Sequence, residues 1–358
     1  MKVDNIFSKS LEVCLRILGI WPDSSYVLLR RLFWIIALLI EQYFHYQYII
    51  IHFHSTEFFE VMNLLGETLS YSIFLIKLIL LWYKQRTFDR ILTMMAIDWE
   101  KCYSAKFSMF AMTCNAKLSR RFTNMTVVLY SMAVIFHSSN IVMKHTNDDE
   151  ASNTSTRPLL TDMDLPFNYN RAYVYELIII IQFLHVWLSS CAIGLLNALL
   201  INLFFYDKKI IKKHQQIITF SEYIEDLYSN IAMVLFVSDT FIICCLGFVM
   251  VASVGTPDAA KIIMRTLLFY FVMNMEAFVF CFAGEYLSTK SDSIGDAAYN
   301  SFWYESNSKD SRIILFVIMK SQRQLTITIG KTMNLSLQQF SSIVKASASY
   351  ISVLLAMN

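Results

Sequence analysis

The ionisable side chains of Glu41, Glu67, Lys77, Asp239, Glu276 and Lys345 stand inside long apolar stretches of this sequence. A bare charge in such surroundings is costly, so these residues are expected to pair with one another or to face water. Nothing else in the chain is spaced for catalysis. The seven cysteines (Cys14, Cys102, Cys114, Cys191, Cys244, Cys245 and Cys281) form no CxxC pair and no Cys/His cluster. They read as structural thiols rather than as a disulfide framework or a zinc site. There is no Gly-rich phosphate loop, no nucleophile elbow and no metal-ligand spacing. The expectation is a protein that is not an enzyme and uses no cofactor or metal. Basic runs such as Lys208 to Lys213 read as membrane-topology signals, not as nucleic-acid patches.

Composition says where such residues must sit. Of 358 residues, 56% are apolar and only 16% charged, against about 25% charged in soluble domains. That excludes soluble multidomain, disordered and collagen-like chains, and leaves an all-α membrane protein. A spanning helix needs about 20 apolar residues. Seven stretches qualify: 33–53, 64–83, 125–143, 173–206, 231–254, 262–283 and 335–357. The fourth is too long for one crossing and should continue into the cytosol, and the seventh is rich in Ser. Before the first, Ile6, Phe7, Leu11, Cys14, Leu15 and Leu18 recur at helical spacing, which predicts a short helix at the membrane surface.

Lys and Arg set the orientation. Residues 1–31, 84–121, 208–213 and 288–331 carry 23 of the 30 between them, and the alternate loops carry five. Positive loops stay in the cytosol, so the N-terminus is expected inside and, after seven helices, the C-terminus outside. A G-protein-coupled receptor has the opposite orientation. Its Asp-Arg-Tyr and Asn-Pro-x-x-Tyr signatures are also missing here. The outer loop 144–172 holds Asn153-Thr154-Ser155, a glycosylation acceptor at Asn153. No internal repeat of the transporter kind is visible.

The last third carries a motif. It runs Gly284-Glu285-Tyr286-Leu287-Ser288, Ala297-Ala298-Tyr299, Trp303-Tyr304, Arg312, Met319-Lys320-Ser321-Gln322 and Gly330-Lys331. It ends Leu335-Ser336-Leu337, Phe340, Val344-Lys345, Ser349-Tyr350 and Val353-Leu354. This order resembles the insect odorant receptor family, as do Tyr175-Glu176-Leu177 and Tyr206 with Lys208, Lys209 and His214. Gln324 and Ile329 depart from the family's tail, where a Pro and a small residue are common.

The resemblance implies an odorant receptor: a ligand-gated, non-selective cation channel subunit in the plasma membrane of olfactory sensory neurons. It implies assembly with odorant receptor co-receptor subunits in a tetramer, with volatile odorants and membrane lipid as further partners and no nucleic acid. A gustatory-type homotetrameric channel and a metabotropic seven-span receptor are the alternatives. Three regions are expected: 1–283 with a surface helix, six spans and an odorant pocket in the outer half, 284–331 as a cytosolic anchor, and 332–358 as the pore-lining helix. Within the anchor, 292–323 reads as one amphipathic helix. Pocket candidates, from outer half-spans, are Tyr71, Phe74, Phe136, His137, Asn140, Tyr173, Glu176, Tyr270 and Met273. On the last helix Gln339, Ser342, Ala346, Ser349, Val353 and Met357 share one face. By spacing alone that face suits helix packing as well as a pore. Under the resemblance it lines the pore, with Val353 and Met357 as an apolar constriction.

Overall fold

The computed structural model describes residues 7–357 apart from residues 23, 53–57, 104–105, 149–158, 162, 164, 168–170, 208–213, 257–258, 302 and 306. Asn153 lies outside the described residues, as do the side chains of Asn140 and Met357. The described chain is helical save for one two-stranded ribbon. Helix α1 is Lys9–Ile17, α2 Val27–His52, α3 Phe58–Tyr83, α4 Gln85–Tyr103 and α5 Lys106–Asp148. Helices α6 (Ala172–Asp207), α7 (His214–Ala252) and α8 (Ala259–Tyr299) follow, then α9 (Ser308–Ser321), strands β1 (Thr328–Ile329) and β2 (Met333–Asn334), and α10 (Leu337–Met357). Among the described residues, four stretches are long and apolar enough to cross a membrane: Val61–Tyr83, Tyr173–Leu203, Ile218–Ala252 and Ile262–Glu305. The other three expected spans fall on α2, α5 and α10. On α2, Glu41, Gln42, His45 and Gln47 dilute the apolar residues.

The amphipathic start folds as α1. The Ser8 hydroxyl caps it by accepting from the Leu11 amide, 3.3 Å away. Leu11, Leu15 and Leu18 are fully buried. The end of α1 is pinned from two other helices: Trp34 Nε1 donates to the Ile17 carbonyl at 3.2 Å and Trp82 Nε1 to the Leu18 carbonyl at 2.9 Å. Gly19, at φ +67, turns the chain there.

Helices α5 to α8 have 43, 36, 39 and 41 residues, well beyond the roughly 20 that a bilayer core requires. They therefore continue past any membrane as a helical bundle. The anchor stretch differs from a single amphipathic helix. α8 runs on to Tyr299, the chain turns, and α9 packs back against it. The polar pairs Asn300-Ser301 and Asn307-Ser308 favour turn and cap conformations over a continuous helix. In the turn Ser301 Oγ donates to the Ala298 carbonyl at 2.7 Å, and Ser311 Oγ to that of Trp303 at 2.6 Å.

The ribbon carries the chain from this hairpin into α10. Gly330 sits in it at φ +55, and its amide donates to the Ser229 carbonyl of α7 at 3.1 Å. Just beyond, Leu335 crosses Gly284 of α8 so closely that a Cβ there would lie 2.6 Å from Leu335 Cβ and nearer still to its carbonyl oxygen. The Gly284 of the motif is thus a packing requirement.

Candidate functional site

A cavity of about 130 Å³ opens between α3, α5, α6 and α8, with Leu246 of α7 at one side. Each helix contributes a stripe at three- or four-residue steps, the spacing of one helix face. On α3 these are Asn63, Glu67, Ser70, Phe74 and Lys77, with Tyr71 beside them. On α8 they are Arg265, Phe269, Val272 and Glu276, with Met273 adjacent. Tyr130, Ala133, Val134 and His137 come from α5, and Val186, Ser190 and Ile193 from α6. The walls are aliphatic and aromatic, with a few hydrogen-bonding groups set among them, as a site for a small organic molecule requires.

Charged pairs stand toward both ends. Arg265 Nη2 lies 3.0 Å from Glu67 Oε1 at one end. At the other, Lys77 is ion-paired with Glu276, and both side chains are 3% exposed. Lys77 Nζ also donates to Asn197 Oδ1 at 3.5 Å, and Asn197 Nδ2 donates to the Tyr130 hydroxyl at 3.2 Å. Pairing is what makes buried charge tolerable, and removing one partner would strand the other. Behind Tyr71 stands a further polar group. Its ring stacks on His45 at 5.7 Å and lies 6.1 Å from His185, and both histidines flank Glu41.

The expected pocket residues divide. Tyr71, Phe74, His137 and Met273 line the cavity. Phe136 is half-buried next to His137 and is not among the lining residues. Tyr270 is half-buried one position off the α8 stripe, where its carbonyl accepts from Asn274 Nδ2 at 2.8 Å. Tyr173 is 88% exposed and Glu176 is exposed too, both at the head of α6. Sequence reading had placed Glu67, Lys77 and Glu276 in apolar helices, but had not seen that they border a cavity. The signal was there in the register: Glu67 and Lys77 are ten residues apart, Arg265 and Glu276 eleven.

On α10, Ile343 and Ser347 are buried, and Ser347 Oγ donates to the Thr240 carbonyl of α7 at 3.4 Å. Ile351 lies over Gly247 of α7. Ser342, Ser349 and Val353 are exposed, and Gln339 and Ala346 half-buried. Lys345 is exposed on that side as well.

Residues 208–348 match the model of the family described as 7tm Odorant receptor. The chain is 28% identical over 147 residues to Odorant receptor Or2 of Anopheles gambiae, and 25% identical over 149 residues to Odorant receptor 85c of Drosophila melanogaster. Those alignments take in 41% and 42% of this chain but only 38% and 37% of the two relatives, so little more than a third of their length is matched. The fold is similar over its whole extent to that of the olfactory receptor OR5 from Machilis hrabei in complex with eugenol. The TM-score is 0.79 at 14% identity, covering 98% of this chain and 97% of that one. The same receptor without eugenol gives a TM-score of 0.74. The tail is thus similar by sequence to the insect odorant receptors, and the whole chain shares the fold of a solved insect olfactory receptor.

Proposed function

We propose that this protein is an odorant-gated, non-selective cation channel subunit that binds a volatile molecule in the cavity between α3, α5, α6 and α8. The observation that carries the reading is the cavity itself: an apolar chamber with sparse polar groups, in a fold shared with a receptor solved around eugenol. Seven helices, α2, α3, α5, α6, α7, α8 and α10, serve as the spans, with the N-terminus in the cytosol and the C-terminus outside. The charge asymmetry of the loops supports this orientation.

In this reading α10 lines the pore. Its Ile343 and Ser347 face α7, and Ser342, Ser349 and Val353 lie on a side that the rest of the chain leaves open. Small polar residues suit hydrated ions, and Val353 with Met357 forms an apolar ring that closes by losing its water. Residues 284–331 hold neighbouring subunits together in a tetramer with co-receptor subunits. The apolar residues left exposed on α9, Ile313, Phe316 and Met319, support that role. The site of action is the plasma membrane of olfactory sensory neurons.

The test is to express the chain with and without a co-receptor and record membrane current against an odorant panel. Odorant-evoked cation current that needs both chains supports the reading. Current from this chain alone would instead favour a homotetramer, and no current under either condition would overturn the proposal.

A further inference from the structure

At the inner end of the cavity one carboxylate and one ammonium line the wall, and a second carboxylate lies within electrostatic range of them. Lys77 of α3 pairs with Glu276 of α8, which lines the cavity. Asp239 of α7 is 1% exposed and within electrostatic range of both. Its Oδ1 has no hydrogen-bond partner among the described residues. A buried carboxylate oxygen without a partner is expensive. Among the described residues the ammonium acting on it is that of Lys77, which is engaged with Glu276. A lysine side chain is a flexible four-carbon stem ending in a compact charge, so it can serve either carboxylate, but not both fully. Two arrangements follow, set by which acid holds Lys77.

The two acids differ in what they touch. Glu276 borders the ligand. Asp239 is followed directly by Thr240, whose carbonyl accepts from Ser347 of α10 at 3.4 Å. Resting on the channel reading above, we propose that Lys77 is a two-position switch: it is held by Glu276 when the cavity is empty, and passes to Asp239 when the hydroxyl of an alcohol or phenol donates a hydrogen bond to Glu276. A hydrogen bond to a carboxylate is among the stronger ones, and it weakens the pull of Glu276 on the ammonium. The new pair with Asp239 draws α3 and α7 together beside the Thr240–Ser347 contact and so biases α10. The ligand class follows: neutral molecules with one hydroxyl donor, seated with their carbon skeleton against Phe74, Phe269 and Val272.

Two nearly isosteric variants separate this from a merely structural ion pair. In Glu276→Gln the ammonium is released to Asp239, and ligand-free current should rise roughly 2- to 30-fold, the span of typical coupling changes. In Asp239→Asn the second position is gone while the pair seen here stays intact. Ligand-evoked current should then fall by a similar factor, with ligand-free current no higher than wild type. A structural role would move both variants in the same direction, through lost surface protein, which labelling of intact cells measures. The ligand arm uses a panel of aliphatic alcohols and phenols, each beside its own methyl ether, on the full chain with its co-receptor. The alcohols and phenols should activate and the ethers should not. Equal activation by the ethers, or a fall in ligand-free current in Glu276→Gln, overturns the switch. Should Glu276→Gln fail to reach the surface, Asp239→Asn and the ether pairs decide. A wild-type channel that answers no odorant at all would sink the channel reading itself, a result separate from any of these.

Discussion

Arg265 of α8 reaches Glu67 of α3 at 3.0 Å, and the two helices are tied again by Lys77 and Glu276 further along. Ten residues of helix separate Glu67 from Lys77, a rise of about 15 Å. The helices thus run in parallel with the cavity between the ties. The outer tie is partly exposed, with side chains 29% and 16% accessible. It is therefore the end of the cavity that opens at least cost.

Breaking the outer tie is expected to loosen ligand retention. Arg265→Met and Glu67→Gln should each speed the decay of current after odorant washout by roughly 2- to 10-fold, and the double variant should do little more than either alone. That non-additivity is the mark of a direct pair. Additive effects would show that the two residues act separately.

Within the cavity, contact area should set potency. Met273 lines it and is 5% exposed. Met273→Ala is expected to weaken a fitting ligand roughly 5- to 150-fold, the equivalent of about 1–3 kcal/mol of lost apolar contact. Tyr173→Ala is the control, because that side chain is 88% exposed. It should leave dose–response curves in place. A shift in Tyr173→Ala without one in Met273→Ala would move the site to the head of α6.

These two residues also show what sequence could reveal. Both were candidates by depth in an outer half-span, and only one faces the cavity. Depth follows from a hydropathy pattern. Facing depends on how five helices pack, and one position along α8 separates the lining Phe269 from Tyr270. Buried charges were legible as exceptions in apolar stretches, but their partners were not, since Arg265 and Glu67 are 198 residues apart. The spans were readable because the bilayer imposes an apolar length. Helix ends beyond the membrane carry no such signal, so the extensions of α5, α7 and α8 went unseen. The break at Asn300 was masked by amphipathic spacing on both sides of it.

The close crossing at Gly284 gives a stability prediction. Gly284→Ala places a methyl group against the Leu335 backbone, an overpacking that costs about 1–3 kcal/mol. Surface expression and the thermal midpoint of purified protein should both fall. An unchanged midpoint would mean that α8 and the α10 entry separate easily.

The proposed pore face has its own test. Val353 is 54% exposed on α10, whereas Ile343 is 2% exposed against the bundle. Val353→Ser should raise ligand-free current or alter ion selectivity, because a polar residue holds water in a narrow throat. Ile343→Ser should reduce expression instead. The reverse pattern would put the pore on the other side of the helix.

Orientation can be read with epitope tags on intact cells. The proposed orientation, with the N-terminus in the cytosol, rests on the excess of Lys and Arg in alternate loops. An N-terminal tag should be hidden until the cells are permeabilised, and a C-terminal tag should be accessible from outside.

The central claim is that odorant binding opens an ion path through the protein itself. Its most direct measurement is current across cell-free membrane patches containing this chain and the proposed co-receptor, with no nucleotide in either solution. Odorant should open cation-conducting channels in such patches as it does in whole cells. A response that disappears without GTP and returns on adding it would contradict the account, because it would make this protein a metabotropic receptor rather than a channel subunit.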